Sequence, residues 1–315
     1  MPSFFPDCPP NFLLPDSKSL LVTGPFHASA PVHFAYSSRS ENRDARIVLI
    51  ASSQSALQRS LKDFDDEWLS AHSATGQFMD WASDVKILYM IYLLTCAITM
   101  LMEFSGSYPP SAAHLCLLLS MFHTLKGNEI PEEEWLVKNL QSLEPPSLII
   151  LCEPSSYFVS SSIDGVESLT TPMLPAYINL VSRAITLTSN LADTSGSFPK
   201  LVLFDSRVST LKLPVTDRPS VLFRNPNDAT QRQSLQQVLP LLQHFFEHVA
   251  IFEQDQLDAS FIPSSQGEED ELDDLPKKRL KVYRFQNVDD ITELTWREER
   301  KMTSTRNQTF FNWKM

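Results

Sequence analysis

Residues 147–152 read Ser147-Leu148-Ile149-Ile150-Leu151-Cys152, one polar residue followed by an unbroken apolar run of strand length. A strand with one wet face alternates apolar and polar residues, whereas a continuous run suits a central parallel strand covered by helices on both faces. Runs of the same kind occur on either side, at Arg46-Ile47-Val48-Leu49-Ile50-Ala51, Leu201-Val202-Leu203-Phe204 and Val249-Ala250-Ile251-Phe252. A shorter one, Leu20-Leu21-Val22-Thr23-Gly24, is closed by glycine. Between them, Gln54 to Trp68 sets Leu57, Leu61, Phe64 and Trp68 at helical spacing, and Ala176 to Leu191 and Ser234 to His248 read as further helices. This alternation predicts an α/β doubly wound fold with a mostly parallel central sheet.

The composition fits one large core with tails: 315 residues, of which 43% are hydrophobic and 20% charged. Only 7 glycines accompany 22 prolines, which lowers the expectation of a backbone wrapped around phosphate. The net charge of -12 argues against a globally basic surface, so any DNA contact has to be local or shared with a partner. Cys8, Cys96, Cys116 and Cys152 form no C-x-x-C pair and read as reduced intracellular thiols. Met1 to Pro15 lacks the basic and apolar segments of a secretory signal.

Domain boundaries follow from these runs. Residues 1–18 read as an N-terminal extension, 19–263 as the core and 264–276 as a disordered acidic linker carrying Glu268, Glu269, Asp270, Glu271, Asp273 and Asp274. Residues 277–300 read as edge strands completing the core, with Leu280 to Phe285 and Thr292 to Trp296 alternating as a hairpin, and 301–315 as a tail. One segment fits poorly. Val85 to Phe104 is nearly uncharged and as long as a bilayer span, yet a span there would split one domain between lipid and water. The expectation is therefore no membrane, with an apolar insertion at about 85–107: a buried or partner-covered helix, or a segment foreign to the fold such as translated intron. One transmembrane helix at 85–104 is the alternative.

Leu20 to Gly24 sits where a phosphate-loop strand would end, Tyr108-Pro109-Pro110-Ser111 opens a helix, and Pro146 to Leu151 sits where a Walker B strand would lie. From about Ser19 to Trp296, the insertion apart, this order resembles the SWIM-domain-associated subunit of the Shu complex, a divergent RecA-type paralog of the eukaryotic strand-exchange recombinase. The resemblance implies a RecA-like core of P-loop type and a stable pairing with a SWIM zinc-finger protein. It also implies support of the recombinase or its paralogs as filaments on single-stranded DNA, in homologous recombination repair in the nucleus.

A working phosphate loop reads G-x-x-x-x-G-K-[ST]. Counted from Gly24, Ser29 stands at the second glycine, Ala30 at the lysine and Pro31 at the hydroxyl residue. Pro31 also lacks the amide an anion would use. At the Walker B position Cys152 replaces the aspartate, and Glu153, one step later, can substitute only along a changed backbone path. The expectation is no cofactor, no catalytic residue and no enzymatic activity. Phe34-Ala35-Tyr36-Ser37 comes nearest to the F-x-x-A contact motif of recombinases, which makes Phe34 a partner-binding candidate as well as a core candidate; Trp296 in the hairpin is a second.

Two further patterns complete the reading. His244-Phe245-Phe246-Glu247-His248 matches the H-x-x-E-H spacing of zinc proteases, an alternative function that finds no further acidic ligand motif, so no metal is expected. Lys277, Lys278, Arg279 and Lys281 form a basic cluster that suits a nuclear import receptor or a clasp with the acidic linker. Asp65 and Asp66 read as solvated acids on a helix face.

Overall fold

In the computed structural model the described residues are 2–6, 8, 14–89, 146–158, 173–195, 199–215, 235–254, 276–303 and 306–313. Eleven strands are found among them: β1 (Ser19–Thr23), β2 (Ile47–Ala51), β3 (Val85–Tyr89), β4 (Leu148–Cys152), β5 (Lys200–Asp205), β6 (Lys212–Pro214), β7 (Leu235–Gln237), β8 (His248–Gln254), β9 (Lys277–Arg284), β10 (Asn287–Met302) and β11 (Asn307–Trp313). Nine of them build one sheet in the order β11-β10-β9-β8-β1-β5-β4-β2-β3, while β6 and β7 pair separately. From β8 to β3 all neighbours are parallel, and β9, β10 and β11 extend the sheet antiparallel. The chain is thus α/β with a large, mostly parallel central sheet, as its apolar runs predict.

The helices lie on both faces: α1 (Ala30–Glu41), α2 (Gln54–Phe64), α3 (Glu67–His72), α4 (Gly76–Asp84), α5 (Leu174–Ser195) and the short α6 (Leu239–Leu242). Because side chains alternate along a strand, each run feeds two cores. Leu21, Ile149, Leu151, Leu201, Leu203 and Val249 pack with Tyr177, Leu180 and Val181 of α5. Leu20, Val22, Ile150, Val202, Phe204 and Phe252 pack with Ala30, Phe34 and Ala35 of α1.

Several expectations are corrected. Gln54 to Trp68 is two helices, because Asp65 takes a left-handed conformation (φ 45°) and Asp66 starts α3 by accepting from the Leu69 amide at 3.2 Å. Ser234 to His248 is not one helix: β7, α6 and a 3-10 turn at Gln243–Phe245 precede β8, with Pro240 in the first turn of α6. Val85 to Tyr89 is a strand paired with β2 in register Ile47↔Val85, so a helix does not begin at 85 and the first five residues of the expected insertion belong to the sheet. The Tyr108 helix, residues 90–107 and the acidic linker up to 275 lie outside the described residues. Among the described residues no helix is long and apolar enough to cross a membrane. Residues 307–313, expected as tail, form β11, which turns Thr309 and Phe311 inward.

The N-terminal extension is also part of the core. Phe4 and Phe5 are 0% and 3% exposed. Phe4 stacks on Phe34 at 5.4 Å and meets Phe204 and Phe252 edge-on or tilted. Phe5 packs against Trp296, Phe311 and Trp313. Ser3 fixes this segment to α1: its amide donates to Ser37 Oγ at 2.7 Å, and Ser37 Oγ donates to the Ser3 carbonyl at 3.0 Å.

Candidate functional site

In a parallel sheet the ligand crevice lies beyond the carboxyl ends of the strands, where the connections diverge. Here that point is β1: the chain leaves it toward β2, and after β5 it passes to β8 on the other side. The residues closing the crevice are Gly24 after β1, Glu153 after β4 and Asp205 to Arg207 at the end of β5.

The loop from Gly24 to Ser29 is folded on itself. Gly24 has φ +89°, and a Cβ there would lie 2.0 Å from the Phe252 carbonyl oxygen, so only glycine fits beside β8. The Phe26 amide donates to the Gly24 carbonyl, the Ala30 amide to His27, and the Val32 and His33 amides to Ser29, at 2.8–3.0 Å. Pro25 and Pro31 have no amide to offer. A phosphate-binding loop turns such amides toward the ligand; these are turned back into the chain.

Below this loop lies a buried polar chain. Ser29 Oγ donates to Asp66 Oδ2 at 2.5 Å, His33 Nε2 lies 2.8 Å from the same oxygen, and His27 Nδ1 lies 2.9 Å from Ser29 Oγ. All four side chains are buried. Ser29 stands at the start of α1 but caps nothing, its hydroxyl being committed to Asp66. Burial pushes the Asp66 carboxyl up, yet the hydrogen bonds from His33 and Ser29 and the nearby His33 charge outweigh it and hold the pKa below its ordinary value. Burial above all, helped by the charges of His33 and Lys278, drives His27 well below the usual imidazole range. His27 also stacks on Phe64 and touches Phe5 and Phe311. Asp66 is therefore not a solvated acid, as its position beside Asp65 suggests, but the tie between the β1 loop and the α2–α3 turn.

At β4 and β5 the strand ends brace one another. Glu153 has the left-handed backbone that a non-glycine residue adopts only at a cost (φ 53°). This is the changed path on which its use depends, and it sends the carboxylate to the Ser206 amide (3.2 Å) and the Ser206 hydroxyl (3.0 Å). Asp205 reaches back the other way, accepting from the Ser155 amide (2.8 Å), the Tyr177 hydroxyl (2.7 Å) and the Arg207 amide (3.2 Å). Burial, then the Asp205 charge, raises Glu153 to about 7 against the pull of Ser206 and Arg207. Burial likewise raises Asp205 despite its hydrogen bonds. The Cys152 thiol is buried in the α1-face core and pushed up by burial and by Glu153. The Asp205 contacts with Ser155 and Tyr177 and the Asp66 contacts with Ser29 and His33 escape motif counting because the partners lie 28–50 residues apart.

The other sequence candidates are placed as follows. Phe34 and Trp296 are core residues, 3% and 1% exposed, so neither offers a partner contact. The Phe34-to-Ser37 motif is already engaged by Ser3 and Phe4 of the same chain. His244 lies in a 3-10 turn against Phe285, while His248 lies in β8. Glu247 accepts from the Lys18 amide and Arg284. The zinc-protease spacing requires His244 and His248 one turn apart on a helix, and this backbone does not provide it. Lys277 to Lys281 lie in β9, paired on both sides, with Lys278 on Glu298 at 2.7 Å and Lys281 on Glu253 at 2.9 Å. The cluster is thus tied to neighbouring strands.

No protein-family model matches the chain, and no curated protein matches it in sequence. Among solved structures, the RadB recombinase superposes with a TM-score of 0.39 and 8% identity, covering 89% of this chain and 86% of that one. A KaiC-like protein, PH0186, from the hyperthermophilic archaeon Pyrococcus horikoshii OT3 superposes with a TM-score of 0.35 and 8% identity, over 94% and 90%. Likeness at that distance leaves function to be argued from the site.

Proposed function

We propose that this protein is a non-catalytic recombination mediator that works by binding other proteins. It pairs with a SWIM zinc-finger protein and, through that complex, supports recombinase filaments on single-stranded DNA in the nucleus. The observation that carries the non-catalytic part is the β1 loop and the start of α1 behind it, where the amides of Phe26, Ala30, Val32 and His33 are bonded within the chain. The alanine and proline at the lysine and hydroxyl positions leave a nucleotide without its usual cation and magnesium ligand. The partner and the recombination role rest on the sequence resemblance alone.

ATP binding and turnover by purified protein provide the first test. Neither is expected, and turnover abolished by Glu153→Gln would overturn the reading. Affinity purification from the native organism should recover a SWIM protein, and the complex, not the lone chain, should bind single-stranded DNA with affinity that falls as salt rises. Recovery of no recombination protein would sink the biological half. For nuclear residence, alanine at Lys277, Lys278 and Arg279 in a tagged copy is the check. Because β9 is paired on both sides, import by the partner is the expected route and the distribution should not change.

A further inference from the structure

Oxygen-bearing side chains stand at the carboxyl ends of three neighbouring strands: Thr23 in β1, Asp205 in β5 and, just beyond β4, Glu153 and Ser155. Thr23 is the register partner of Asp205 on the neighbouring parallel strand, so both side chains leave the sheet on the same face. Thr23 is fully buried and its Oγ1 has no hydrogen-bond partner. Ser155 is also fully buried, its amide donating to Asp205 and its hydroxyl lying beside the same carboxylate. Buried hydroxyls are ordinarily satisfied, since leaving one bare forfeits its hydration for nothing. Thr23 leaves one bare on the face that carries the Asp205 carboxylate.

We propose that Asp205, Glu153 and the hydroxyls of Thr23 and Ser155 form a site for one hard divalent cation of the magnesium, manganese and calcium class, held without nucleotide. The donors are all oxygen, the chemistry these cations prefer, and the nearest thiol, Cys152, belongs to the opposite core. Two carboxylates match the charge of one such ion. Glu153 receives one hydrogen bond at each oxygen, and Asp205 Oδ1 receives one from the Arg207 amide, so lone pairs remain for a cation. Tyr177 and the Ser155 and Arg207 amides fix the Asp205 carboxylate, as outer partners fix a liganding carboxylate in metal sites. With the ion in place, the strand ends of β4 and β5 are tied to β1. The inference is independent of the recombination reading.

The test is a manganese titration of the full chain after chelator treatment, read by the electron paramagnetic resonance of free Mn2+ and by thermal melting. One Mn2+ per chain and a rise in Tm are expected, with Ca2+ or Mg2+ competing. Asp205→Asn should lower the affinity at least tenfold. Thr23→Val removes the bare hydroxyl at nearly constant shape, so the metal-free Tm should hold or rise while Mn2+ affinity falls several-fold. Glu299→Gln, on β10, should bind as the native chain does. Absence of saturable binding, or equal affinity in the native chain, Thr23→Val and Glu153→Gln, would overturn the proposal. Thr23→Val and Glu153→Gln decide the matter even if Asp205→Asn fails to fold.

Discussion

The two faces of the sheet meet the same crevice with opposite chemistry. On the α1 face the strand ends are sealed by rings: Phe4, Phe5, Phe26 and His27 fill the space between Phe204, Phe252 and β11. On the α5 face they end in carboxylates and hydroxyls, at Thr23, Asp205, Glu153 and Tyr177. The first face is finished, with its histidine kept neutral. The second carries charge that the protein itself leaves incompletely compensated, and so it is the face on which a ligand has something to gain.

The largest effect that would break this contrast is loss of the aromatic seal. Phe4→Ala should cost about 3–5 kcal/mol, the usual range for emptying a fully buried phenylalanine site, measured by denaturant unfolding. A negligible loss would mean that residues 2–6 are a dispensable arm. Gly24→Ala comes next, since it imposes both a positive φ and a clash with the Phe252 carbonyl; about 2–4 kcal/mol is expected.

Acidity sharpens the contrast, because the two faces respond with opposite sign. His27 has its pKa depressed in the fold, so below about 6.5 the unfolded chain binds the extra proton and stability falls as pH drops. Glu153 is raised to about 7, so between the ordinary carboxyl value and 7 the folded chain holds the extra proton and stability falls as pH rises. In chelator, Glu153→Gln should therefore remove a loss of about 1–3 kcal/mol between pH 5 and pH 8, while His27→Phe should flatten the acid side. Melting curves across that range check both, and a Glu153→Gln profile parallel to the native one would refute the assignment. The smallest effect belongs to the rim of the sheet, where Lys278→Ala should cost about 0.5–1 kcal/mol, since the Glu298 pair is partly exposed.

The sheet was legible because its central strands are apolar on both faces; β2 and β4 are buried at every residue. The same criterion misread Val85 to Tyr89, where an apolar run longer than any strand hides an edge strand at its start. Residues 4–5 and 307–313 were illegible for the opposite reason. Two adjacent rings between prolines have no period, and the alternation of Thr309, Phe311 and Trp313 is too short to stand out from a polar end. At the site, the degenerate loop could be read from Ser29, Ala30 and Pro31. What fills it could not, because His33 and Ser29 find Asp66 across 33 and 37 residues, and sequence spacing carries no signal for a contact made only by the finished fold.

The ring contacts between Phe5 and both Phe311 and Trp313, at 5.5 and 5.0 Å, bear on biosynthesis. Phe5 is synthesised about 300 residues before the strand that completes its cover. At ordinary elongation rates it waits roughly 15–60 s for that strand. The α1 face therefore closes only after β11 has been made, and for that interval Phe5 is displayed to whatever chaperone attends the nascent chain.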